Sequence, residues 1–389
     1  MVGGPRRRRR VRRRAGARCG GHHGSRRQLR RGLSRGRGIR RAARGRPAAL
    51  GDGRRVALDQ GGRRFHRTAR PLRTAVPPGV ITLLALGPSV DVTYLVDEFF
   101  EGGTFRPTGV YRAAGGKAVN AARAAVTMGA DVAVVAPLGG ASGQFALDDA
   151  VAAGIPLMPV WATADTRTCI SISSAASGLL TELYEQPSAI TGDELARLHE
   201  VTDTLLVERP GWFAISGGVP ASVPVGGLAA LIDLAHSRGI RVAVDSHGPA
   251  LAAALSTRPE LLKINRAEAA EALGIEPQAD LFDSAFGMAE RLRGITGGTV
   301  VITDGVAGSY AVDERGRHRA EWSGDFGRYP VGSGDSYLGG LLASLDAGGT
   351  LADALRLAAG CATANALVPG AGRFAKVDAL AIADEVVVS

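Results

Sequence analysis

The run Tyr329, Pro330, Val331, Gly332, Ser333, Gly334, Asp335, Ser336 leads straight into an apolar stretch of helical periodicity. Glycines let a ligand approach the backbone closely, and the first N–H groups of a helix have no partner within it, so they point at an anion. An aspartate on that first turn can accept a proton from an attacking hydroxyl while neighbouring amides hold a phosphoryl group in transfer. Asp335 is therefore the candidate general base, with Gly332, Ser333 and Gly334 as the candidate anion hole. The competing reading is structural: a loop in which Asp335 only caps the helix.

Other segments carry groups suited to a polyol and a phosphate. Gly115, Gly116 and Lys117 open a second helical stretch, with Asn120 one turn further on. Backbone access plus an amide side chain suits sugar hydroxyls, although a glycine pair before a helix is also a common turn. Asp91, after the first apolar run, and Arg167, in Thr166-Arg167-Thr168, would complete a polar sugar site, because a carboxylate grips hydroxyls and a guanidinium grips phosphate bidentately. Arg106 offers the same grip; each of the three is equally readable as a solvated surface charge.

The stretch from Lys263 to Glu268 ends one apolar run and begins a helix, which puts Asn265 and Glu268 at the carboxyl edge of a strand. Their oxygens suit a hydrated Mg²⁺ that also touches a nucleotide, with Glu268 reaching it through water. The same pair fits a capping box, Asn265 capping the helix and Glu268 returning the bond. Thr303 to Gly308, with glycines at 305 and 308, can bend the backbone around ATP or be a plain turn. A Walker loop is excluded, since no Gly-Lys-Ser/Thr follows a suitable glycine spacing, and the protein-kinase motifs are absent. The seven histidines are scattered, and His22 and His23 near Cys19 read as tail composition rather than a metal site.

These residues need a scaffold, and from Val80 onward the texture supplies one. Short apolar runs at Val80–Leu86, Val132–Ala136, Trp212–Ile215, Ile240–Val244, Leu261–Ile264 and Thr299–Ile302 alternate with helical stretches at Lys117–Met128, Gly192–Val207, Val223–Ser237, Ser284–Arg293 and Ser333–Leu345. That rhythm predicts an α/β domain, a doubly wound, mostly parallel sheet flanked by helices, with ligands at the carboxyl ends of the strands. Thr104–Ala113 and Arg167–Tyr184 break the rhythm with alternation and β-branched residues, so a small β-sheet lid is expected from segments near 92–113 and 160–186.

The chain has 389 residues and a formal charge of +10, but residues 1–78 hold 26 arginines and 2 acids, which leaves the remainder acidic. Only this tail argues for a nucleic-acid partner. Its Arg, Gly and Ala content predicts disorder. It reads as a nucleic-acid-binding arm, a targeting peptide, or sequence translated from a wrongly chosen start. The last is favoured, because aromatic interleaving and amphipathic periodicity are missing. Three dispersed cysteines suit a reducing compartment, and no apolar run is long enough to span a membrane. A cytoplasmic protein is expected, composed of the tail and an α/β domain over 79–389.

Together the motifs resemble the ribokinase-like carbohydrate kinases of the phosphofructokinase-B type, across roughly Val80 to the C-terminus. One family signature looks like Gly115-Gly116-Lys117-Ala118-Val119-Asn120 through Gly139 and Gly140; the other looks like Val331 to Asp335 and the following helix. Within the family, Pro330 to Asp335, Thr166-Arg167-Thr168 and Gly87-Pro88-Ser89-Val90-Asp91 are most similar to 1-phosphofructokinases and tagatose-6-phosphate kinases. The resemblance implies ATP-dependent phosphorylation of a hexose phosphate. It implies that Asp91, Gly115, Gly116 and Asn120 bind sugar hydroxyls, Arg167 and Arg106 the existing phosphate, Lys263, Asn265 and Glu268 the ATP phosphates and Mg²⁺, and Thr303, Gly305 and Gly308 the nucleotide. A homodimer is a reasonable expectation on the same ground. Gly87 stands where asparagine is usual, Ala118 where glycine is usual, and Ser216-Gly217-Gly218 replaces a Ser-Gly-Ser-like stretch, which leaves the sugar open. The alternatives are a kinase for an unphosphorylated sugar or nucleoside, in which Arg167 is only a surface charge, and a nucleic-acid-binding protein acting through the basic tail.

Overall fold

Strands buried on both faces need apolar side chains at every position, and that pattern orders the core. In the computed structural model, which describes residues 79–275 and 281–389, β1 (Val80–Leu84) and β4 (Val132–Leu138) are buried at every position. The expected tail, residues 1–78, lies outside the described residues. In chain order the other elements begin with β2 (Ser89–Val96), β3 (Gly109–Gly115), α1 (Lys117–Met128), α2 (Gly140–Ala152), β5 (Leu157–Trp161), β6 (Arg167–Ser174) and β7 (Leu180–Tyr184). There follow α3 (Gly192–Glu208), β8 (Gly211–Ser216), α4 (Val225–Ser237), β9 (Arg241–Asp245), α5 (Gly248–Ser256), β10 (Leu261–Asn265), α6 (Arg266–Leu273) and α7 (Leu281–Thr296). The chain closes with β11 (Thr299–Thr303), β12 (Ser309–Asp313), β13 (Gly316–Glu321), α8 (Ser333–Asp346), α9 (Leu351–Ala366), α10 (Lys376–Glu385) and β14 (Val387–Val388).

Among the described residues the large sheet runs β14-β13-β12-β11-β10-β9-β8-β1-β4-β5. It is parallel from β11 to β5, and β12, β13 and β14 add antiparallel strands at one edge. Each face of this sheet carries its own apolar cluster, one against α1, α8 and α9, the other against α3, α4, α5 and α7. This is the doubly wound α/β arrangement expected, with helices missed where glycine, alanine and acids blur the periodicity, as in α2.

A separate four-stranded sheet has the order β3-β2-β6-β7. Its extent corrects the expected segments in two places. Val160 and Trp161 belong to β5, paired with Pro137 and Leu138 of the large sheet, because the run Leu157–Trp161 completes a βα unit. The strand that starts the small sheet begins at Ser89 rather than near 92, and residues 97–108, including Arg106, form the connection to β3. In β2 and β6, Ser89 pairs with Arg167 and Asp91 with Cys169, and Cys169 pairs onward with Tyr184 of β7. Side chains two apart along a strand share a face. Ser89 and Asp91, Arg167 and Cys169, and Glu182 and Tyr184 therefore point the same way, into a cavity between the two sheets.

Candidate active site

The cavity is about 670 Å³, within the range of small-ligand sites. The carboxyl ends of β10 and β11 floor it with Lys263, Asn265 and Thr303, and α1 and α8 present their first turns to it. The small sheet roofs it.

Asp335 is the third residue of α8, after an N-cap at Gly332 (φ 80°), so it is not the cap that the structural alternative required. Its carboxylate is buried at 8% exposure and accepts a hydrogen bond from Asn120 Nδ2 at 3.0 Å. Burial pushes this carboxyl up to about 6, against the opposing charge of Lys117. The same Asn120 amide donates to Asp91 Oδ2 at 3.5 Å, and Ser89 Oγ donates to Asp91 Oδ1 at 2.6 Å. Asn120 Oδ1 is buried without a partner among the described residues, leaving an acceptor available to a ligand hydroxyl. Burial raises Asp91 as well.

The two glycines before α1 are there for space. A Cβ on Gly115 would stand 2.0 to 2.3 Å from the Asp91 carboxylate, and Gly116, at φ 91°, would bring one to 2.9 Å from Gly87 O. Without side chains at these positions the backbone can sit against Asp91 and turn into the helix.

At the start of α8 the three expected anion-hole residues divide. The amides of Gly334 and Asp335 have no protein acceptor among the described residues, as N-terminal amides of a helix should not. Ser333 differs from expectation: its amide closes a turn onto Pro330 O at 3.0 Å, and its hydroxyl donates to Ala362 O at 3.0 Å. It shapes the loop and does not line the cavity. Gly332 does line it, and a Cβ there would meet Ala371 Cβ at 2.6 Å.

Beneath this helix start lies an ionic cluster that sequence reasoning found only in part. Lys263 Nζ lies 2.6 Å from Asp245 Oδ2; Lys117 Nζ lies 3.0 Å from Asp245 Oδ1 and 3.2 Å from Glu268 Oε1. A Cβ on Gly334 would be 3.2 Å from Lys263 Nζ, so that ammonium sits against the first turn of α8. Asp245 has no exposed surface; burial opposes its charge, yet the two lysines hold it below the ordinary carboxylate value. Lys117, despite burial, is held above its ordinary value by Asp245 and Glu268 and stays protonated. The available signal for Asp245 was an acid closing the apolar run Val242-Ala243-Val244, at the carboxyl end of a parallel strand. Lys117 was in view only as the start of a helix.

Asn265 and Glu268 realise the capping reading, and both line the cavity. They form the capping box, with Glu268 N donating to Asn265 Oδ1 at 2.9 Å and Asn265 N to Glu268 Oε2 at 2.8 Å, while Glu268 Oε1 faces Lys117. Arg167 lines the roof; its Nη1 donates to Glu185 O at 2.7 Å and its Nη2 to Gly87 O at 3.2 Å, leaving Nε buried without a partner among the described residues. The cavity does not reach every expected position. Arg106 is exposed in the 97–108 connection, and Gly305 and Gly308 lie in the tight turn after β11, where Asp304 N donates to Gly308 O at 2.9 Å. Of that segment only Thr303 lines the cavity, joined there by the unforeseen His247, Glu182 and Glu185.

A doubly wound sheet with a buried carboxylate and open helix-terminal amides at its carboxyl edge suits phosphoryl transfer to a hydroxyl, and similarity to known proteins makes the chain an ATP-dependent sugar kinase. The chain belongs to the pfkB family of carbohydrate kinases, whose model matches residues 82–377. It is 29% identical over 292 residues to the ATP-dependent 6-phosphofructokinase isozyme 2 of Escherichia coli K12, covering 75% of this chain and 93% of that protein. The crystal structure of Escherichia coli phosphofructokinase-2 with fructose-6-phosphate superposes with a TM-score of 0.72 at 26% identity, over 79% of this chain and 98% of that one. A Thermotoga maritima structure described as a possible 1-phosphofructokinase shares the fold, with a TM-score of 0.73 at 19% identity over 80% and 99% of the two chains. Among the described residues no helix is long and apolar enough to cross a membrane.

Proposed function

We propose that the chain phosphorylates a free hydroxyl of a hexose that already carries a phosphate, a reaction of the 1-phosphofructokinase or tagatose-6-phosphate kinase type. The observation that carries this reading is Asn120 held between Asp335 and Asp91 in one cavity, with Arg167 on the roof above them. Asp335 accepts the proton of the attacking hydroxyl, and the amides of Gly334 and Asp335, with Lys263 beside them, hold the phosphoryl group in line. Asp91 and Asn120 grip sugar hydroxyls. Arg167 binds the phosphate already present, using its free Nε and whatever donors its backbone carbonyls release.

Mg²⁺ belongs to the same reading. Glu268 lines the cavity at the carboxyl edge of the sheet and would hold the ion through water. Among the described residues no three or more His, Cys, Asp or Glu side chains form a cage, which suits an ion that keeps its waters and shares phosphate oxygens. When bound, Mg²⁺ offsets charge on the phosphates. On the strength of the family resemblance, the reading also has the enzyme act in the cytoplasm as a homodimer.

A second reading, an unphosphorylated acceptor, is favoured by one observation: Glu182 and Glu185 line the same end of the cavity as Arg167 and would repel a phosphate. Steady-state assays with fructose 1-phosphate, fructose 6-phosphate, tagatose 6-phosphate, fructose and ribose decide between them. The phosphorylated hexoses are expected to win, and Arg167→Ala to raise their KM roughly 10- to 100-fold. Preference for fructose or ribose, with Arg167→Ala silent, would establish the second reading.

Gly115→Ala tests the sugar end separately. The new methyl must expel the Asp91 carboxylate, so the sugar KM is expected to rise by about tenfold or more while the ATP KM stays put. Equal changes in both KM values would mean that Asp91 does not touch the sugar.

A further inference from the structure

Ala114 stands in β3 directly before the two glycines that lead into α1. β3 is an edge strand of the small sheet, so one row of its N–H and C=O groups has no neighbouring strand to pair with. At Ala114, side chains from two helices take that role. Asp149 Oδ2, in α2, accepts the Ala114 N–H at 2.9 Å, and Arg123 Nη2, in α1, donates to Ala114 O at 2.8 Å. The two side chains also pair with each other at 3.1 Å, with 7% of Arg123 and 19% of Asp149 exposed. Arg373 Nη2 lies 3.3 Å from the other Asp149 oxygen, so the carboxylate is gripped at both oxygens. None of these three side chains lines the cavity.

What they hold does reach it. Gly115 rests against the Asp91 carboxylate, so closely that a Cβ would overlap it, and Asp91 faces Ala113 in the register of β2 and β3. Gly116 caps α1, which brings Asn120 to Asp91 and Asp335. Two glycines give this turn no stiffness of their own, so its placement has to come from its neighbours. We infer that Asp149 is a positioning residue for the proposed reaction: by holding the Ala114 amide, with Arg123 on the carbonyl, it fixes the Gly115–Gly116 turn and hence Asp91 and Asn120 against Asp335. Asp149 touches no substrate. A displacement of about an ångström in such a site can cost roughly a hundredfold in rate. The inference rests on the reading of Asp91 as a group that grips the sugar.

The test compares Asp149→Ala with Asp149→Asn in the full chain, using the member of the sugar panel above with the highest kcat/KM. Both variants lose the charge that pairs with Arg123, and both are expected to melt below the parent. Only the alanine variant loses the acceptor of the Ala114 amide, since a carboxamide oxygen can still take that bond. Asp149→Ala should therefore raise the sugar KM about tenfold or more and leave the ATP KM within about twofold, whereas Asp149→Asn should keep the sugar KM within about threefold of the parent. Should the alanine variant fail to fold, Asp149→Leu combined with Arg123→Met replaces the buried ion pair by apolar volume and is expected to show the same rise in sugar KM. Sugar KM values that move alike in the alanine and asparagine variants overturn the inference, the pair then being structural only. Asp91→Ala separates the remaining cases. If it leaves the sugar KM unchanged, the reading of Asp91 fails and this inference with it; if it raises the sugar KM while Asp149→Ala does not, the role of Asp149 alone is overturned.

Discussion

Asp335→Asn is expected to lower turnover roughly 10²- to 10⁴-fold while leaving the affinity for ATP nearly intact. The substitution removes the proton acceptor and almost no volume, and the carboxamide oxygen it introduces can still accept the hydrogen bond from Asn120 Nδ2. The value to which burial pushes the carboxyl adds a second signature, because a base raised to about 6 is partly protonated in mildly acidic solution. In the parent enzyme kcat/KM should therefore climb as pH rises through about 6, about tenfold per unit below it, rather than through the ordinary aspartate value near 4. The residual activity of Asp335→Asn should lack that limb. A variant that turns over at the parent rate, or keeps the same acid limb, would refute the assignment of the base.

The parts of the site legible in the sequence were those built by backbone. Gly332 to Asp335 and Gly115 to Asn120 could be read because glycines before a helix announce open amides and close approach, and Gly332, Gly334, Asp335, Gly116 and Asn120 line the cavity. The parallel sheet was legible for a similar reason: apolar runs such as Val132–Ala136 are continuous only when both faces are covered. What could not be read was the pairing of charges far apart in the chain. Lys117 and Asp245 are 128 positions apart, and nothing local announces that β9 ends beneath the start of α1. Arg106 shows the converse error, since an arginine in an irregular segment looks the same whether its loop faces a ligand or water. Ser333 lies inside the same motif as Gly334 and Asp335, yet turn closure onto Pro330 takes up its amide. Small-sheet membership was blurred because β2 follows β1 after a short turn, so Ser89–Val96 reads as the tail of a core strand.

Asp245 and Asp335 both act on the charge of Lys117, and their neutral variants are expected to shift stability in opposite directions. In the nucleotide-free protein at pH 7.5, Asp245→Asn leaves the buried Lys263 ammonium without its carboxylate and Lys117 with Glu268 alone. Removing one partner of a buried pair costs about 3–5 kcal/mol, which for a domain of this size is a fall in Tm on the order of 10 °C. Asp335 carries the reverse sign. Its folded value is raised above the unfolded one, so the stability it contributes is present below about 4 and lost as pH rises through about 6. At pH 7.5 the parent protein bears that penalty, and Asp335→Asn should relieve on the order of 2 kcal/mol and melt several degrees higher. Lowering the pH to 5 protonates most of the folded Asp335 but closes only about half of this gap, because the unfolded carboxyl is still ionised there. The deficit of Asp245→Asn should persist there, because Asp245 is held below its ordinary value and stays charged until the solution is more acidic still. Thermal melts of the three proteins at both pH values separate the cases. If the two variants melt alike at pH 7.5, burial does not penalise the Asp335 charge in the way its raised value requires.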